Sequence, residues 1–203
     1  MYTPKFNQVA DRAILIEAMQ AYSFAIVFGP LAGEEPKATH LPLVVKDSGP
    51  HGVIEGHFAK ANPHSESLVG REALIVFSGP HSYVSPTLYA DELNVPTWNY
   101  LAIHAYGTLE AIEDDTAKDL LLQDLIALHE PEYLAQWRNL PAGFRRTMLA
   151  GIAGFRIPIT RIEGKFKISQ NRAPQERLNV QTAHSAGSPD QQALASWMQR
   201  LIV

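Results

Sequence analysis

Three stretches of this chain bring together side chains that could grip a ligand. Gly56-His57-Phe58-Ala59-Lys60-Ala61-Asn62-Pro63 sets an imidazole, an ammonium and an amide at the exit of an apolar run. Lys60 there is the natural counter-charge for a phosphate. Pro96-Thr97-Trp98-Asn99-Tyr100 groups a hydroxyl, an indole and an amide beside a long strand-compatible run. Lys165-Phe166-Lys167-Ile168-Ser169-Gln170-Asn171-Arg172 alternates basic and apolar residues, so Lys165 and Lys167 share a face if the segment is extended. Each stretch also has a plainer reading: a solvated lysine, a core-anchoring aromatic turn, a charged solvent face.

Other chemistries find less support. Gly-x-Ser-x-Gly is absent, and Ser85 in Tyr83-Val84-Ser85-Pro86 is a nucleophile only if a histidine approaches it; otherwise it caps a turn. Six of the eight histidines (His40, His57, His64, His81, His104 and His129) fall in or beside strand-like runs or the middle helix, but none has the paired spacing of a zinc site. No metal site is expected. A haem held through one axial histidine, His57 or His81, stays open by spacing. Neither a dinucleotide glycine motif nor a phosphate loop is present, which argues against dinucleotide folds and ordinary ATPases. Flavin mononucleotide (FMN) needs no glycine loop. It needs a few phosphate donors, polar groups along the ring edge and an apolar or aromatic face, and the three stretches supply those types.

The elements that must position these residues read as follows. A short helix covers 11–21, with Ile14, Leu15, Ala18 and Met19 at helical spacing. Strands follow at 22–28, 39–45, 52–58 and 73–78, with turns at 29–37 and 47–50. Pro42 marks the second of these as an edge or bulge, and a hairpin joins it to the third. Leu101 to Ile112 is a long strand broken at Gly107. The period then changes. Thr116 to His129 is a helix with Ala117, Leu121, Leu125 and Leu128 on one face, and Thr116 with Asp119 resembles a capping box. Pro131 to Trp137 is a helical turn, Pro141 to Ile152 a second helix, and Phe155 to Ile162 a strand. Ala183 to Ser188 reads as a linker, and Ser188 caps a last amphipathic helix with Leu194, Trp197, Met198 and Leu201 in its stripe. Strands and helices do not alternate, so a doubly wound sheet is disfavoured and a small barrel with peripheral helices is expected. One barrel domain over 1–182, with a helical insertion near 116–152, is followed by a linker and helix over 183–203 that packs on the barrel or on a partner.

Bulk properties bound the rest. With 203 residues, 46% of them hydrophobic, the chain can bury a large core in one domain. No run of 18 apolar residues spans a membrane. The opening Met1-Tyr2-Thr3-Pro4-Lys5 lacks a signal-peptide pattern, and the absence of cysteine excludes disulfides, so a cytoplasmic protein is expected. A net charge of -4 gives no broad attraction to nucleic acid, although a local patch on a dimer could still touch DNA.

At these residues the chain resembles the PaiB-type, FMN-binding negative transcriptional regulators of the FMN-binding split-barrel superfamily. The matching elements are Met1-Tyr2-x-Pro4, Thr39-His40-Leu41-Pro42-Leu43, Gly56-His57-x-Ala59-Lys60-Ala61-Asn62-Pro63, Gly79-Pro80-His81-x-Tyr83-Val84-Ser85-Pro86, Val95 to Tyr100, His104-Ala105-Tyr106-Gly107, and Ile159 to Lys167 with Ser169-Gln170-Asn171-Arg172. They stand in family order as far as about Leu178. Two departures are visible: Lys5 precedes Phe6 where the family carries a histidine, and Asn62-Pro63-His64-Ser65 stands where the family has Asn-Pro-Gln-Trp.

The resemblance implies a mainly β fold with peripheral helices, an FMN-binding split β-barrel, working as a homodimer with the flavin at the subunit interface. It implies a phosphate role for Lys60 with support from His57 and Asn62, a ring-edge role for the backbone of Thr39, His40 and Leu41, and a second side of the pocket at Ser85, Trp98, Asn99 and Tyr100. Regulation, with DNA a weakly supported partner, is the function implied. Two alternatives stand beside it: a flavin-dependent oxidoreductase and a haem-binding split barrel.

Overall fold

The structure, a computed structural model, describes residues 1–33 and 35–201. In chain order its elements are β1 (Gln8–Val9), α1 (Arg12–Ala21), β2 (Phe24–Gly29), β3 (Lys37–Pro42), β4 (Val44–Lys46), β5 (Val53–Ala59), α2 (Pro63–Leu68), β6 (Glu72–Val84), β7 (Thr97–Thr108) and β8 (Glu110–Ile112). There follow α3 (Asp115–His129), α4 (Leu134–Asn139), α5 (Ala142–Ala150), β9 (Ile152–Pro158), β10 (Arg161–Lys167), α6 (Pro174–Ser185) and α7 (Pro189–Leu201). The chain divides into two units. The first takes 1–11, 78–103 and the chain from Glu163 onward; the second takes 12–77 and 104–162.

In the second unit, β6, β2 and β3 are neighbours in one sheet, and β4-β5-β9-β8 form another. The registers are antiparallel, with Val27 opposite both Thr39 and Ile75, and Gly56 opposite Phe155. Alternation explains the core. In β5 Ile54, Gly56 and Phe58 point inward, while Val53, Glu55 and His57 face the other way. Phe58 meets Phe155 with ring centroids 5.0 Å apart. Gly107 is required by close approach, because a Cβ there would collide with the carbonyl oxygen of Pro158. Helix α3 lays Leu121 and Leu125 on Ile112.

In the first unit the sheet order is β1-β10-β7-β6. Helix α7 packs Trp197 edge-on against Phe166 of β10, at 5.3 Å between centroids. It begins at a reciprocal cap: the backbone N–H of Ser188 donates to Gln191 Oε1 at 2.8 Å, and that of Gln191 donates to Ser188 Oγ at 3.4 Å.

Several sequence expectations need correcting. The run 39–45 is two strands in two different sheets, because Pro42 ends β3 and Leu43 turns inward, fully buried. The hairpin is therefore β4 with β5, pairing Val44 with Glu55. The strand expected over 73–78 does not stop at Gly79-Pro80. Strand β6 runs straight through it, but its inward phase shifts from Ala73, Ile75 and Phe77 to Pro80, Ser82 and Val84. The cap of α3 is Asp114, whose Oδ2 accepts from Ala117 N at 2.8 Å. Asp119 instead accepts from Trp137 Nε1 at 3.0 Å and from Gln123 Nε2 at 2.7 Å. Finally, helix α6 occupies the start of the expected linker and ends only at Ser185, just before Gly187.

Candidate functional site

Two polar nodes, one in each unit, take up most of the expected residues. In the second unit the node forms where β3 passes the start of α2. Asn62 is the N-cap of α2 and accepts from His64 N at 3.0 Å through Oδ1. Proline at the next position suits a first turn, where no N–H is needed. Thr39 Oγ1 lies 2.7 Å from His64 Nδ1, and His64 Nε2 lies 3.0 Å from the carbonyl oxygen of Gly29. A carbonyl can only accept, so Nε2 carries the proton and Nδ1 accepts from Thr39. The Thr39 oxygen is then free to receive Asn62 Nδ2, 3.5 Å away. Donation runs in one direction, from Asn62 to Thr39 to His64 to Gly29. His64 is buried, and burial above all pushes its pKa below the ordinary 6.5, helped by the Lys37 charge and opposed by the Gly29 bond. The imidazole is neutral at pH 7 and both its nitrogens are occupied.

Beside this node the backbone turns tightly. Asn62 N donates to the carbonyl of Ala59 at 2.9 Å and Lys60 N donates to that of Gly151 at 2.8 Å. Lys60 is thereby held at the tip of the β5 exit, exposed, and among the described residues it has no carboxylate partner. His57 sits one strand face away, opposite Gly154. Its Nδ1 is buried with no hydrogen-bond partner, and burial pushes its pKa down. His40 is exposed and stacks on Phe24 at 6.2 Å. Leu41 is half-buried opposite Ala25.

In the first unit Asn99 and Ser169 form a closed pair. Asn99 is fully buried; its Nδ2 donates to Ser169 Oγ at 2.9 Å, and Ser169 Oγ donates back to Asn99 Oδ1 at 3.2 Å in the alternative sense. Ser169 takes φ 68°, the left-handed region, which costs a non-glycine residue and needs such a tie to hold it. Lys167 reaches Thr97 Oγ1 and, at 2.8 Å, the carbonyl oxygen of Trp98. Burial, then the charges of Lys165 and Arg172, push its pKa down. Lys165 lies 5.4 Å above the Tyr100 ring. Trp98 is half exposed, with the rings of His81 and Tyr83 at 6.1 and 6.3 Å. Ser85 caps the 3-10 turn Pro86–Leu88, accepting from Thr87 N at 3.2 Å.

Thr39 and Asn62 are thus brought together, Lys60 lies two residues before Asn62 on the same turn, and Trp98, Asn99 and Tyr100 lie on one strand. His40, His57 and Ser85 stand apart from both nodes in hydrogen bonding. His64, the centre of the first node, is in the sequence only one of six histidines without zinc spacing and a departure from the family pattern; its distance of 25 residues from Thr39 hides the pair. The residue types present fit FMN: an ammonium on a tight turn, with no carboxylate partner among the described residues, suits a phosphate, and Asn62, two residues on, supplies an amide.

Residues 1–161 match the family described as "Putative FMN-binding domain". The chain is 34% identical over 203 residues to "Protease synthase and sporulation protein PAI 2" of Bacillus subtilis, covering 98% of this chain and 97% of that one. It is 30% identical over 183 residues to an uncharacterized protein of Emericella nidulans, covering 71% and 73% of the two chains. Among solved structures, the flavocytochrome Anf3 from Azotobacter vinelandii superposes with TM-score 0.65 at 14% identity, over 81% of this chain and 72% of its own. The FAD and heme binding protein from Mycobacterium smegmatis superposes with TM-score 0.63 at 18% identity, over 90% and 81%. These two likenesses establish the fold, that of the flavin-binding split barrels.

Proposed function

Because this chain belongs to the FMN-binding domain family, we propose that it works as a flavin-loaded regulatory homodimer, in which flavin occupancy rather than substrate turnover carries the signal. FMN is the cofactor, and it supplies redox chemistry when bound. The observation that carries the reading is Lys60: an ammonium with no carboxylate partner among the described residues, on the Ala59–Asn62 turn, two residues before Asn62 of the Thr39–Asn62–His64 chain of hydrogen bonds. Lys60 neutralises the phosphate. Asn62 and Thr39 orient polar groups beside it, and the neutral His64 holds Thr39 in place from behind.

Regulation is favoured over catalysis by two things. The relative from Bacillus subtilis, matched over nearly its full length, carries sporulation, a regulated programme, in its name, "Protease synthase and sporulation protein PAI 2". Within the Lys60 node no acid–base group is free, since both nitrogens of His64 are spent on Thr39 and Gly29. DNA is the proposed partner of the dimer. The test is direct. FMN-loaded protein should consume no NAD(P)H with any of several acceptors, and should retard promoter DNA with an affinity that falls steeply as salt rises. Steady NAD(P)H oxidation together with salt-independent or absent DNA binding would reverse the assignment in favour of an oxidoreductase.

A further inference from the structure

On the other flank of α2 the second unit opens a cleft of about 320 Å³. This is within the range of small-molecule pockets. His64 faces β3 and Gly29, whereas Ser65, Glu66 and Val69 line the cleft. Its floor is apolar: Phe58, Leu109, Ile112 and Phe155 are all buried and contribute to the lining. Charged groups occur only at its mouth, as Lys60, Glu66, Glu113 and Lys118. Lys118 already has an acidic neighbour, with Nζ 3.5 Å from Asp115 Oδ1. Glu66 and Glu113 have no cation partner among the described residues. Against these two carboxylates stands a single unpaired cation, Lys60. The lining itself balances two lysines against two glutamates; Asp115, beside Lys118, tips the local sum to one net negative charge, and that excess grows when an anion takes Lys60.

We propose that this cleft is a second small-molecule site, taking a compact amine whose aromatic or branched hydrocarbon body fills the floor while its ammonium meets Glu66 and Glu113. A volume of about 320 Å³ equals the share of about ten water molecules in the liquid, which suits a single-ring amine. Phe58 and Phe155 offer ring faces and edges to such a body, and the two glutamates select the sign of the head group. Lys60 lies at the mouth, so an occupant of the cleft and an anion held by Lys60 would sense each other through charge: the amine binds more tightly when Lys60 is neutralised. The site itself stands on the cleft and its carboxylates and does not require the flavin.

The experiment titrates 2-phenylethylamine, 2-phenylethanol and 3-phenylpropanoate into the full chain, with and without FMN, following amide shifts by NMR. The amine is expected to bind with shifts centred on Ala111 and Gly154, and more tightly than the alcohol by about fivefold, the scale of two exposed charge pairs. Glu66→Gln with Glu113→Gln should bring the amine down to the alcohol's affinity. Ala111→Trp, which fills the cleft from an exposed strand position, should abolish both. Equal or tighter binding of the acid, shifts centred elsewhere, or no binding by any probe would overturn the proposal. If FMN fails to bind while the amine behaves as described, the flavin reading falls and this one stands.

Discussion

At the residue scale the second unit turns on a histidine held neutral. His64 gives its Nε2 proton to Gly29 and accepts from Thr39 through Nδ1. Truncation strands a buried carbonyl and a hydroxyl, so His64→Ala is expected to cost about 2–3 kcal/mol of stability, read as a lowered denaturant midpoint at an unchanged slope. Burial holds the imidazoles of His57, His64 and His184 below the ordinary 6.5. The sign follows from proton uptake. Below 6.5 the unfolded chain binds protons that the folded chain refuses, so stability is full above that pH and declines as pH falls through 6.5 toward the depressed folded values. Denaturation midpoints should therefore be lower at pH 5.5 than at pH 7.5, and His64→Gln should reduce that difference, leaving the part due to His57 and His184. A midpoint independent of pH over this interval would contradict the assignment. Asn99 and Ser169 make the equivalent tie in the first unit, with Asn99 fully buried and Ser169 in the left-handed region. Asn99→Ala is expected to cost about 2 kcal/mol, from the unpaired Ser169 hydroxyl and the released backbone conformation.

At the scale of elements, close approach fixes the strands. A methyl at Gly107 would collide with the backbone oxygen of Pro158, and backbone cannot step aside as a flexible side chain can. Gly107→Ala should destabilise the second unit by about 3 kcal/mol or more, measured by thermal unfolding, while Gly143→Ala, which meets nothing within 4 Å, should be neutral or mildly stabilising in its helix. The sequence reveals elements where one period dominates. Helices α1, α3 and α7 carry apolar stripes and were legible, as were β2 and β5. Helix α6 was not, because it buries only Val180 and His184 and is otherwise polar. The full length of β6 was hidden for a different reason: Gly79-Pro80 carries the local signature of a turn, and only tertiary pairing carries the strand across it. The site was legible in part. Lys60 and Asn62 follow from the residue types at a strand exit, but the Thr39–His64 bond joins distant segments and has no local signature.

At the scale of the whole molecule the chain is a split barrel of the FMN-binding domain family, and a regulatory role is proposed for it. Homodimerisation belongs to that proposal; light scattering at micromolar concentration should give twice the mass of the 203-residue chain, and a monomer mass would remove the dimer from the reading. The central claim is that Lys60 recognises the phosphate of FMN. Fluorescence quenching on titration with FMN and with riboflavin, which lacks only the phosphate, tests it most directly. The account predicts that FMN binds at least about tenfold more tightly than riboflavin in the native protein, as expected for a charge-assisted contact, and that Lys60→Gln removes that preference while riboflavin binding stays unchanged. Equal affinities for the two flavins in the native protein, or a phosphate preference that survives Lys60→Gln, would contradict it.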